Sequence, residues 1–207
     1  MNVWQQFLII AGAHFLALLS PGPDFFLIMR SAIVNGPRIA SAACVGIALA
    51  NGVYIALAAS GVAILHESSA IFSLIKWAGC LYLAWLGWRF LNVPADPPAG
   101  TPESRLPASR SAWAEFRTGF ASGILNPKNS LFYASLFSLG FDPGTPLGIQ
   151  FAFGAWMFLA VLAWDLGIAR AAGHPLFVRR IMAHVRKIER ATGAVLLTLA
   201  AGIAWSR

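Results

Sequence analysis

Six long apolar stretches alternate with short polar ones along the chain: Trp4 to Met29, Ala40 to Leu65, Ile71 to Leu91, Phe116 to Gly140, Gly148 to Ile168 and Ala191 to Trp205. A hydrocarbon core about 30 Å thick is crossed by roughly 20 helical residues at about 1.5 Å each, so the first five are long enough to span it. The sixth is the shortest and needs Ile188 and local thinning of the bilayer. The pattern predicts an all-α integral membrane protein with six transmembrane helices. No basic residue precedes Arg30 and no small-residue cleavage site follows a short apolar run. The first stretch is therefore expected to stay as a membrane helix rather than leave as a signal peptide.

The polar intervals set the organisation. Asp96 to Ser109 is rich in proline and poor in anything to bury, and it falls midway along the chain. It reads as a flexible linker, residues 92–112, between two three-helix repeats, 1–91 and 113–207. An odd number of helices in the first repeat inverts the second. Within that second repeat, residues 174–190 place Phe177, Ile181, Val185 and Ile188 on one helical face, with Arg179, Arg180, Arg186 and Arg190 largely elsewhere. This predicts an amphipathic helix on the inner leaflet, begun by Pro175.

Composition agrees: 58% of the 207 residues are hydrophobic and 11% charged, too few polar groups to cover a soluble globule. The net charge of +7 sits in short segments between apolar runs, at Arg30 and Arg38, at Arg105 and Arg110, and from Arg170 to Arg190. That distribution fits the positive-inside rule better than a nucleic-acid partner. It places those loops in the cytoplasm and both termini on the periplasmic side of an inner-membrane protein. Trp4, Trp88, Trp113 and Trp205 fall near helix ends, as interfacial anchors do. Cys44 and Cys80 stand alone in apolar runs, so neither a disulfide framework nor a metal site is supported, and no cofactor is implied.

The most informative segments lie inside the first and fourth stretches: Ser20-Pro21-Gly22-Pro23-Asp24 and Asn126-Pro127-Lys128-Asn129. Proline lacks a backbone donor and clashes with the preceding turn, so Ser-Pro and Asn-Pro resemble a cap followed by the first position of a new helix. Pro21 lies about 8 residues from Met29 and Pro127 about 11 from Phe116, which puts both breaks roughly 12 to 16 Å deep. A half-helix starting there presents free N–H groups and a positive dipole end, a site for a carboxylate. Paired breaks in inverted halves are a feature of secondary transporters.

Asp24, Lys128 and Asp165 are the charges set deepest in apolar runs, and each needs a partner or water. Asp24 and Lys128 are read either as a structural pair or as holders of a substrate's ammonium and carboxylate. Asp24 and Asp165 are the candidates for carrying a coupled proton. Asn51 is expected to bond between helices, and His14 to pack or edge a pore. Lys76, near a helix start, can snorkel outward. Small residues at Ala42, Gly46, Ala50, Gly119 and Gly123 allow close helix packing and permit a homodimer.

With the Pro-Gly-Pro of Pro21, Gly22 and Pro23 and the Asn-Pro-Lys of Asn126, Pro127 and Lys128, the chain closely resembles the lysine-exporter and threonine/homoserine-exporter family (LysE/RhtB) of amino-acid efflux permeases along essentially its whole length. The resemblance implies export of amino acids or similar small zwitterions from the cytoplasm, driven by the proton-motive force. Asn129 and the ending Ser138-Leu139-Gly140-Phe141 depart from the family's usual pattern. Two other classes stay open on the residues alone. An intramembrane hydrolase would use Asp24 with Asp165, or Ser20 with His14, although six residues of helix point the latter pair apart. A passive channel would need a continuous polar stripe.

Overall fold

The computed structural model describes residues 2–65, 77, 80, 81, 84, 85, 87, 88, 91, 92, 111–142 and 144–205. The linker at Asp96 to Ser109, Lys76, and most of the third apolar stretch lie outside the described residues. The elements formed by the described residues are helices: α1 (Val3–Leu19), α2 (Pro23–Asn35), α3 (Pro37–Leu65), α4 (Ala112–Leu125), α5 (Pro127–Gly140), α6 (Leu147–Ala171) and α7 (Pro175–Trp205).

Local chemistry sets most of the helix ends. Asn2 and Gln5 form a reciprocal capping box at the start of α1, with bonds of 2.8 and 3.0 Å. Leu19 is its last helical residue, because Ser20 is extended and Pro23 restarts the chain as α2, bent by 53°. Gly36, at φ 83°, turns α2 into α3, a conformation that favours glycine. The second break is tighter. Asn126 both ends α4 and caps α5, its Oδ1 accepting from Lys128 N at 3.1 Å.

Among the described residues two helices are long and apolar enough to cross a membrane, α3 over Pro37–Ser60 and α6, and the bent pair α1 and α2 makes a third when taken as one span. Large apolar side chains stand on the surface, and several polar ones are buried within a mainly apolar interior. Trp4, Leu8, Leu57, Leu125 and Trp205 are exposed, whereas Gln6, His14, Asn51, Glu115, Gln150 and Asp165 are buried. That distribution suits hydrocarbon, which solvates Leu and Trp but offers no hydrogen bond to an amide or carboxylate.

The expected close packing joins α3 to α4. A Cβ on Gly46 would lie 2.2 Å from the Phe116 carbonyl oxygen, and one on Gly119 would lie 2.2 Å from that of Ala43. Ala43, fully buried beside the half-buried Ala42, is the residue that faces Gly119. Residues 174–190, expected as an amphipathic segment, open a single helix, α7, that runs on into the sixth apolar stretch. After Pro175 no proline interrupts the backbone ladder, and Phe177, Val178 and Ile181 pack against a core cluster of α2, α3 and α6. The first part of the apolar stripe, Phe177 and Ile181, thus has a protein partner.

Candidate functional site

Two apolar clusters make up the core. One is built from Ile10, Ile55, Phe132, Phe137, Phe153 and Met157, the other from Ile28, Cys44, Ile47, Val161 and Ile168. A cavity of about 70 Å³ is bounded by members of both. Ser20, Gly22 and Asp24 from the first break line it together with Asn126, Lys128 and Asn129 from the second, and α6 adds Trp164 and Asp165. Pro21 is buried but does not line the cavity, and Pro23 faces a separate cleft between α2 and α4. The prolines therefore act on the site through the backbone they break.

Each half completes the other's broken helix. Asp24, in the first turn of α2, accepts from Ser122 Oγ at 2.5 Å, Asn129 Nδ2 at 2.9 Å and Asn126 Nδ2 at 3.2 Å. All three donors belong to α4, α5 and the residue between them. In return, Lys128 Nζ donates to the carbonyls of Ser20 at 3.3 Å and Ala17 at 3.4 Å. These carbonyls are set free where α1 stops, at the negative end of its dipole. The structural alternative of a simple Asp24–Lys128 pair thus gives way to a crossed arrangement, in which acid and base each serve the opposite half.

A carboxylate offers about four acceptor positions, so three donors leave Asp24 one for a ligand. The bonds of Lys128 are long, near the outer limit of useful length, and a carboxylate in the cavity can compete for its ammonium. Asp165 is 8% exposed, and its Oδ2 has no hydrogen-bond partner.

Asn51 and His14 also line the cavity. Asn51 donates to Ile47 O of its own helix at 3.0 Å, so it lines the cavity rather than bonding between helices. His14 is buried, with Nε2 3.2 Å from the Tyr133 hydroxyl and its ring set among Phe132, Tyr133 and Trp156. Ser20 reaches the same cavity because it sits in extended conformation after α1, where the helical angle that separates positions 14 and 20 no longer applies. The Ser20 hydroxyl has no hydrogen-bond partner, so the pair is not wired as nucleophile and base.

Ser122 and Tyr133 stood out neither by motif nor by charge in the sequence, and Asn129 was given no site role there. Their signal was a register: Ser122, Asn126, Asn129 and Tyr133 recur at three- and four-residue spacing, one polar stripe across the break.

Two polar contacts tie the halves at opposite ends. Beyond α5, Asp142 Oδ2 accepts from Gln6 Nε2 at 3.2 Å, and Thr145 Oγ1 donates to Gln6 Oε1 at 2.8 Å. At the other end, Glu115 of α4 accepts from Ser31 Oγ at 2.6 Å and from Asn35 Nδ2 at 3.4 Å.

No solved structure matches the chain. It is similar to an uncharacterized membrane protein, YahN, of Escherichia coli K12, at 27% identity over 89% of this chain and 82% of the relative. It is 28% identical to the threonine efflux protein of the same organism, over 91% of this chain and 92% of the other. A leucine efflux protein of Klebsiella pneumoniae is 30% identical over 62% of this chain and 59% of its own length. Residues 15–207, which hold both helix breaks and the whole cavity lining save His14, match the LysE type translocators, and the chain belongs to that family of multi-pass membrane transporters.

Proposed function

We propose that this LysE-family protein exports small amino acids from the cytoplasm by alternating access, in exchange for protons. The single observation that carries the reading is the crossed completion of the two helix breaks around one cavity. A zwitterion matches it: its ammonium meets Asp24 and Asp165, and its carboxylate meets Lys128 and the N-termini of α2 and α5. Relatives named for threonine and leucine efflux support the substrate class.

In this reading the chain makes six spans, as two inverted repeats at 1–91 and 113–207 joined by the 92–112 linker, with both termini periplasmic. One repeat rocks against the other. The Gln6–Asp142–Thr145 contact latches the outer end, and the Ser31–Asn35–Glu115 contact the inner. Asp165 carries the proton, because its Oδ2 lacks the donors that occupy Asp24. An incoming ammonium and a proton then compete for one acceptor, which is the coupling an antiporter needs.

The test is efflux of a labelled amino-acid panel from proteoliposomes, with and without a pH gradient, for the wild type and Asp165→Asn. Gradient-driven export in the wild type, reduced to gradient-independent exchange in the variant, is the expected result. Export of no amino acid rejects the substrate class, and an unchanged gradient response in the variant rejects the role of Asp165.

A further inference from the structure

The zwitterionic core of an amino acid is common to all of them, and relatives named for threonine and for leucine leave the side chain open. The cavity carries more polar groups than an ammonium and a carboxylate use. Ser20 Oγ and His14 Nδ1 are both buried without a hydrogen-bond partner, on side chains that are 3% and 1% exposed and line the cavity. They belong to neither set assigned above.

Resting on the reading that this cavity binds an amino acid, we infer that His14 and Ser20 form a side-chain subsite selecting substrates whose side chain bears a hydroxyl. His14 Nε2 is already engaged by the Tyr133 hydroxyl. When Tyr133 donates, Nδ1 carries the proton and is a donor; when Nε2 donates, Nδ1 is an acceptor. A hydroxyl both donates and accepts, so it fits either tautomer, and it fits the Ser20 hydroxyl in the same way. A methyl group in that place fits neither: it shuts water out and leaves two buried polar atoms unpaired. The aromatic frame of Phe132, Tyr133 and Trp156 around the imidazole holds the ring in place. A subsite built this way rejects the isostere that lacks the hydroxyl far more strongly than an apolar pocket rejects one that adds it.

Threonine and valine are the probe pair, since they differ by a hydroxyl in place of a methyl. Full-length protein in proteoliposomes is expected to transport threonine with kcat/KM at least about tenfold above valine. His14→Phe keeps a buried aromatic ring and removes both nitrogens, and Ser20→Ala removes the second hydroxyl. Each is expected to lower the ratio toward one, chiefly by losing threonine transport while valine transport persists. Should His14→Phe fail to fold, Ser20→Ala carries the same comparison, with Tyr133→Phe, which releases the imidazole, as a further variant. Equal transport of threonine and valine by the wild type overturns the inference, with water then serving those atoms, and leaves the amino-acid reading standing. A preference for threonine that survives in every folded variant also overturns it. Failure of the wild type to move any amino acid overturns the underlying reading instead.

Discussion

Replacing Asp24 by asparagine separates a structural carboxylate from a substrate-holding one. The carboxylate accepts bonds from Ser122, Asn126 and Asn129 at 2.5, 3.2 and 2.9 Å. An amide of the same shape keeps its oxygen for the two asparagine donors and turns its NH₂ to the Ser122 hydroxyl, which rotates to accept. Bonds to an ionised group contribute about 1.5–3 kcal/mol and neutral ones about 0.5–1.5 kcal/mol. The variant therefore loses roughly 1 kcal/mol at each bond, about 3 kcal/mol in all, and still folds. Alanine is less informative, because it leaves three donors without an acceptor at about 1–3 kcal/mol each. For a substrate ammonium the loss is the charge-assisted bond itself, about 1.5–3 kcal/mol, or a 10- to 150-fold fall in affinity. The assay is threonine and valine binding to purified protein by calorimetry, beside efflux at matched expression and thermal unfolding in detergent. A folded Asp24→Asn protein with affinity and efflux within twofold of the wild type would falsify the ammonium role and leave Asp24 as a brace between the halves.

Lys128→Met removes the donor to the Ala17 and Ser20 carbonyls as well as the cavity's cation, so both the unfolding midpoint and efflux should fall; normal stability would mean those long bonds contribute nothing. Gly119→Ala forces a methyl against the Ala43 backbone and should destabilise by at least about 1–3 kcal/mol. Gly12→Ala meets no atom within 4 Å and should stabilise α1 by up to about 1 kcal/mol, so equal unfolding midpoints for the two would contradict the close α3–α4 approach. For the latches, a reporter cysteine at Ser20 should react faster with an impermeant thiol reagent from the cytoplasmic side in Glu115→Ala and from the opposite side in Gln6→Leu. Cys44 and Cys80 are buried and give little background, and the same sidedness in both variants would reject the two-latch scheme.

Much was legible along the chain because its causes are local. Proline removes a backbone donor wherever it stands, so Ser20-Pro21 and Asn126-Pro127 announced both breaks, and Asn2, Gly36 and Ser111 fall where caps and turns demand them. The hydropathy pattern gave the membrane class for the same reason, since burial of an apolar stretch in lipid needs no tertiary partner. The small residues Gly46, Gly119 and Gly123 marked a close approach without saying which helices approach.

What the tertiary structure alone decided is pairing. Asp24 and Lys128 were identifiable as deep charges, but which group each meets depends on how two segments about a hundred residues apart cross, and the answer is the opposite helix break rather than each other. The stripe of Phe177 and Ile181 fitted a lipid surface equally well, and only the presence of the α2, α3 and α6 cluster beside it showed a protein partner. His14 and Ser20 were separated by the helical wheel and reunited in one cavity because the break takes Ser20 off the helix. A sequence records each residue's own chemistry and its spacing to near neighbours; the free energy of a buried polar group depends on the partner that the fold brings to it.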